Sequence, residues 1–134
     1  MVKKKQSQQE EATPIVVDEE EIATAEDKAF KDISEKLAKI GKNKGVIGYI
    51  LRNTTSAIID LKEPEKVVTY AIFSSQVLDS SQEISSKFEK GDVESVLIEG
   101  QENKVLCMKI DGNKISIFME KEANDSRIQK QISP

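Results

Sequence analysis

The chain has 134 residues, 33% of them charged, and a formal net charge of −4. That is enough length for one domain with a real core, and the charge excludes a broad basic surface for nucleic acid. It has no His and one Cys, Cys107, which rules out an internal disulfide, the usual zinc ligand sets and the Ser-His and Cys-His nucleophile arrangements.

Residues 1–23 read as a disordered, charged tail ahead of a domain over 24–134. Three lysines at the start face six acids, four of them in the run Asp18 to Glu21. Such a segment buries too little apolar surface to offset its ordering entropy. Its plain role is a solubilising extension; the alternative is a short motif at Ile15, Val16 and Val17 that adds to a sheet edge. Thr24-Ala25-Glu26-Asp27 then forms a capping box. Phe30, Ile33, Leu37 and Ile40 recur at helical spacing, with Gly41 as the stop.

Residues 46–52 (VIGYILR) and 56–61 (SAIIDL) read as two strands of a hairpin joined at Asn53-Thr54-Thr55. Gly48, in mid-strand, marks close approach by a helix or another backbone.

A long helix follows over 64–91. Pro64 suits the first turn, Glu65 the positive end of the dipole, and Gly91 the left-handed position that closes the far end. Val67, Ala71, Phe73, Val77, Leu78, Ile84 and Phe88 make one broad apolar arc, and Val68 and Ile72 lie outside it. The first half is therefore apolar nearly all round. It needs two covers, its own sheet and something else; an ordinary core helix of a monomer is the alternative. Ala71, Ser74, Ser81 and Ser85 are small enough for a second backbone to approach.

Three more strands follow over 94–99, 104–110 and 114–120, with a strong turn at Asp111-Gly112-Asn113, then a short helix over 122–132. Several strands carry apolar residues on both parities: Ile47, Tyr49 and Leu51 against Val46 and Ile50, for example. The sheet is thus covered on both faces, by the long helix on one and by the first and last helices on the other. The expected class is α+β: a five-stranded, mostly antiparallel sheet in the order α-β-β-α-β-β-β-α.

No catalytic constellation is present. Gly45-Val46-Ile47-Gly48 leads into a strand, without the Gly-Lys-Ser/Thr of a phosphate loop. Asp111-Gly112-Asn113 is a turn and not a calcium loop. Glu94, Glu99, Glu102, Glu120 and Glu122 sit at strand ends, where carboxylates are solvated, and Cys107 reads as a buried thiol. The expectation is a protein that is not an enzyme, with no cofactor, no metal, no catalytic residues and no nucleic-acid partner. With no apolar run long enough to span a membrane and no secretory signal, a cytoplasmic setting is expected.

Gly45-Val46-Ile47-Gly48-Tyr49-Ile50-Leu51 resembles the opening strand of the roadblock/dynein light chain family. The long helix after the hairpin, the strand starting near Val93, and Ala123-Asn124 with Arg127-Ile128 are similar to its later elements. The likeness runs from about Asp27 to Ile132; Asn53-Thr54-Thr55-Ser56 departs from the Asp-Gly turn common in the family. The resemblance implies a homodimer, or a heterodimer with a roadblock-like paralogue. In it the long helices pack together and the third strand pairs with its copy. The interface would hold Val67, Val68, Ala71, Ile72, Ser74, Ser75, Leu78, Ser81, Glu94, Val96 and Ile98. It also implies a regulatory or scaffolding role toward a small Ras-like GTPase, or in motor and signalling complexes, with no activating arginine assigned to Arg52 or Arg127. The alternative is a longin- or profilin-like adaptor or ligand sensor with no GTPase partner.

Overall fold

The computed structural model describes residues 25–133. The tail, the Thr24 cap and the Ile15 to Val17 motif lie outside the described residues. Helix α1 (Ala25–Ile40) leads to strands β1 (Val46–Arg52) and β2 (Ala57–Leu61). A 3-10 turn (Pro64–Lys66) then runs into helix α2 (Val67–Lys87). Strands β3 (Ser95–Glu99), β4 (Asn103–Ile110) and β5 (Asn113–Glu120) precede helix α3 (Asp125–Ile132). The strands form one sheet in the order β2-β1-β5-β4-β3, with every neighbouring pair antiparallel. This is the expected α+β class and element order, and β2 and β3 are the two open edges.

Alternation along the strands sends side chains into two separate cores. On one face Ile33, Leu37 and Ile40 of α1 and Ile128 and Ile132 of α3 pack against Leu106, Met108, Ile115, Ile117 and Met119. On the other, Leu78 of α2 meets Ile50, Val105, Cys107 and Phe118. The faces are unequal: among the described residues thirteen buried side chains make the first core and five the second. The α2 face is the thinly covered one.

The strand parity of β1 differs from the sequence expectation. Val46 joins Tyr49 and Leu51 in the α1 core, while Ile47 packs with Ile50 on the α2 side. The cause is a register shift against β5 between Val46 and Gly48, which breaks strict alternation. Gly48 does mark a close approach, by the neighbouring strand: an added Cβ would lie 2.4 Å from the Asp60 carbonyl oxygen and 2.9 Å from Leu61 Cα.

Helix α2 is also closed differently than expected. Glu89 N–H bonds the Ser86 carbonyl at 3.2 Å, and Glu89 itself, at φ 58°, takes the left-handed position, which turns Lys90 N–H to the Ser85 carbonyl at 2.9 Å. Gly91 is also left-handed, at φ 84°, but sits beyond this closure. Its carbonyl accepts from Ser85 Oγ at 2.7 Å, and Val93 N–H donates to Gln82 Oε1 at 2.9 Å, which ties the loop back to the helix.

Candidate interaction surface

Helix α2 points three ways. Ser74 and Leu78, 2% and 3% exposed, face the chain's own sheet, and the Ser74 hydroxyl is satisfied by donating to the Tyr70 carbonyl at 2.9 Å. Val67, Ala71, Ser75 and Ser81 are half-buried beside them. Ala71 packs against the α2-side core, so bulk at that position presses on this chain as well as on a neighbour.

Val68 and Ile72, 70% and 54% exposed, form one flank. At about 100° per residue, Asp79 lies in the same stripe, and its carboxylate is 3.8 Å from Lys114 Nζ of β5. This flank therefore leans toward β5 and away from β3.

The other flank carries Phe73 and Val77, half-buried, and Ile84 and Phe88, 59% and 70% exposed. It lies about 150° round the helix from Val68 and Ile72 and borders β3. Val96 and Ile98 of β3 pair with Cys107 and Val105, whose side chains belong to the α2 core, so they share the α2 face. Leu97, 40% exposed, points to the opposite face. Glu94 is exposed at the head of the strand, where its carbonyl accepts from Lys109 N–H at 3.0 Å.

Between this flank and the sheet lies an apolar concavity of about 240 Å³, bordered by Thr69, Tyr70, Phe73, Ile98, Gly100 and Val105. Tyr70 stacks on Phe118 within it, with ring centroids 4.4 Å apart. No sequence signal marks it, because its walls come from α2, β3, β4, β5 and the β3–β4 turn and meet only in the folded chain. The exposure of Ile84 and Phe88 had a readable signal. A 21-residue helix is about 32 Å long, while the five-residue edge strand β3 is about 17 Å, so part of the helix must overhang it.

The residues predicted for an interface thus fall into separate groups. Val96, Ile98 and Glu94 belong to the β3 edge, Val68 and Ile72 to the far flank, and Ser74 and Leu78 to the interior. Phe73, Val77, Ile84 and Phe88, on the flank that Phe73 brings beside Ile98 of β3, are not among the residues predicted for it.

Titration chemistry is sparse here. Burial pushes the Cys107 thiol above its ordinary value, partly countered by its contact with Ser116 Oγ at 3.4 Å. Lys104, buried in β4, pairs its charge with Asp125 at 2.6 Å at the start of α3. Arg127 contributes to the α3 cap through its backbone N–H, which donates to Asn124 Oδ1 at 3.0 Å. Among the described residues no group of three or more Cys, Asp or Glu is placed to hold a metal ion, and no helix is long and apolar enough to cross a membrane.

Among solved structures, the fold matches a roadblock/LC7 domain from Streptomyces avermitilis with a TM-score of 0.60 and 14% identity, over 74% of this chain and 83% of that one. It matches the gliding protein MglB from Thermus thermophilus with a TM-score of 0.61 and 10% identity, over 77% and 82%. The chain has the roadblock/LC7 fold; at these identities the likeness is one of fold. No protein-family model matches the chain, and no curated protein matches it.

Proposed function

We propose that this protein is a dimeric, non-enzymatic scaffold that binds or regulates a small Ras-like GTPase. The observation that carries this reading is the unequal cover of the sheet. Helix α2 bears exposed apolar side chains on two flanks, beside an open edge strand, over the smaller of the two cores. A monomer gains nothing from that arrangement, and exposed apolar patches with polar rims are characteristic of protein–protein contacts.

The two flanks divide the work. The β3 flank and edge, with Val96, Ile98 and Glu94, form the contact with a second copy or a paralogue, where strand pairing also protects an edge that would otherwise template aggregation. Val68 and Ile72, on the far flank, stay accessible in that dimer and receive the GTPase. The GTPase itself is supported by the roadblock-like sequence pattern together with the fold.

The test is a pull-down in which the tagged full chain is offered Ras-like GTPases from its own source, loaded with GDP or a GTP analogue. Retention of one GTPase in a nucleotide-dependent manner is expected. A chain that dimerises yet retains none in either state contradicts the GTPase role and leaves the adaptor reading.

A further inference from the structure

Two side chains at one end of the sheet are each half satisfied, and in opposite senses. Asn113, 0% exposed, and Asn53, half-buried, belong to the β4–β5 and β1–β2 turns. The pairing of Leu51 with Ile115 and of Arg52 with Lys114 sets Asn53 beside Asn113 on neighbouring antiparallel strands. Leu51 and Ile115 are in the α1 core, so by alternation both Asn side chains lie on the α1 face. Among the described residues, Asn53 Nδ2 and Asn113 Oδ1 are the buried side-chain polar atoms without a hydrogen bond. One is a donor and the other an acceptor, yet no bond joins them directly.

Neither amide can turn over to change this. Asn113 Nδ2 donates to the carbonyls of Glu26, Ile110 and Asp111, each at 3.2 Å, and a reversed amide would set an oxygen against all three. Asn53 Oδ1 accepts from Thr55 N–H at 2.9 Å, Thr55 Oγ1 at 3.2 Å and Ser56 N–H at 2.8 Å, and a reversed amide would set N–H against N–H. A buried polar group left unpaired costs more than a made bond returns, so the two free ends share a partner. Its chemistry is fixed by theirs: it accepts from Asn53 and donates to Asn113. A metal cation cannot accept from an N–H, and a fully ionised anion cannot donate to a carbonyl.

We infer that an ordered water bridges Asn53 Nδ2 to Asn113 Oδ1 and locks the two turns together beneath the first turn of α1. Water both accepts and donates, and buried waters characteristically join such groups. The Glu26 carboxylate of α1 reaches both turns. It accepts from Thr54 N–H at 3.2 Å and Thr54 Oγ1 at 2.9 Å, and an added Cβ on Gly112 would lie 2.8 Å from its Oε1. It offers an acceptor for the water's second hydrogen. The site needs no second copy and no partner, so it stands or falls apart from the dimeric reading. It also gives a reason for Asn53: an aspartate there would keep the acceptor that the turn uses and lose the donor.

The test is a crystal structure of the full chain at a resolution that shows ordered water, with NMR on the same chain in solution. Density for a water about 2.7–3.2 Å from both Asn53 Nδ2 and Asn113 Oδ1 is expected. In solution the Asn53 side-chain amide protons should show a nuclear Overhauser contact with water of the sign that marks a long-lived neighbour. The exposed Gln101 amide is the control and should not. Direct bonding of the two amides, a protein group from residues 1–24 between them, or no ordered density at that position would overturn the inference. An Asn53 signal no different from that of Gln101 would overturn it too.

Discussion

Glu89 holds a backbone conformation that an L side chain resists, at a cost on the order of 1–2 kcal/mol. That conformation brings the Lys90 N–H to the Ser85 carbonyl. Glu89→Gly removes the Cβ conflict but gives the unfolded chain more freedom, which returns about 0.5–1 kcal/mol of the gain. The net expectation is about 0.5 kcal/mol of added stability, read as a higher urea midpoint; a lower midpoint would mean that the Glu89 side chain itself supports the turn. Nothing in the sequence marks this position, since Gly91, two residues on, is the better candidate by residue type.

Cys107 offers a second measurement. Burial raises its thiol above the ordinary value of 9.0, so the folded chain keeps a proton that the unfolded chain has lost. Its contribution is therefore fully present below about pH 9 and is lost as pH rises through the higher, folded value. Thermal midpoints taken from pH 8 to 10 should fall more steeply for the parent than for Cys107→Ala. Parallel curves would show that the thiol is not held protonated. Tyr49, also raised by burial and by Asp60, begins from 10.0 and acts above this window.

Helix α2 illustrates what a linear reading reaches. Its bounds are shorter than the 64–91 expected, because Pro64–Lys66 form a 3-10 turn and the helix ends at Lys87. Its presence and its surplus of apolar residues are written in local order, as are the five strands and the turn at Asp111-Gly112-Asn113. Its rotation about its own axis is not. Whether Val68 or Phe73 borders β3 depends on how Ser74 and Leu78 seat on Ile50, Val105 and Phe118, which are contacts between distant parts of the chain. The same limit applies to β1, where one register shift against β5 moves Val46 and Ile47 to faces that simple alternation does not give. If the far flank is the GTPase surface, Ile72→Asp should leave stability within about 0.5 kcal/mol, as for exposed positions generally. The dimer should persist and GTPase retention in the pull-down should be lost. Loss of the dimer instead would return Ile72 to the interface between copies.

At the scale of the molecule, the sheet has one well-filled face and one thin one. Helices α1 and α3 together close the first, and α2 alone sits on the second. A composition that excludes a basic surface and a His-based site leaves that thin face as the most informative feature of the chain. Residues 1–23 carry too few apolar groups to cover it. Deleting them should leave the thermal midpoint nearly unchanged; a drop of many degrees would show that Ile15 to Val17 dock on the domain.

In the dimer proposed above, a second copy completes the α2 face. Light scattering across a size-exclusion peak, at tens of micromolar chain, reads this directly, because dimerisation is governed by protomer concentration. The expected mass is twice the chain mass of 15.0 kDa, falling toward the single-chain value on dilution. A peak that stays at 15.0 kDa at every concentration would contradict it.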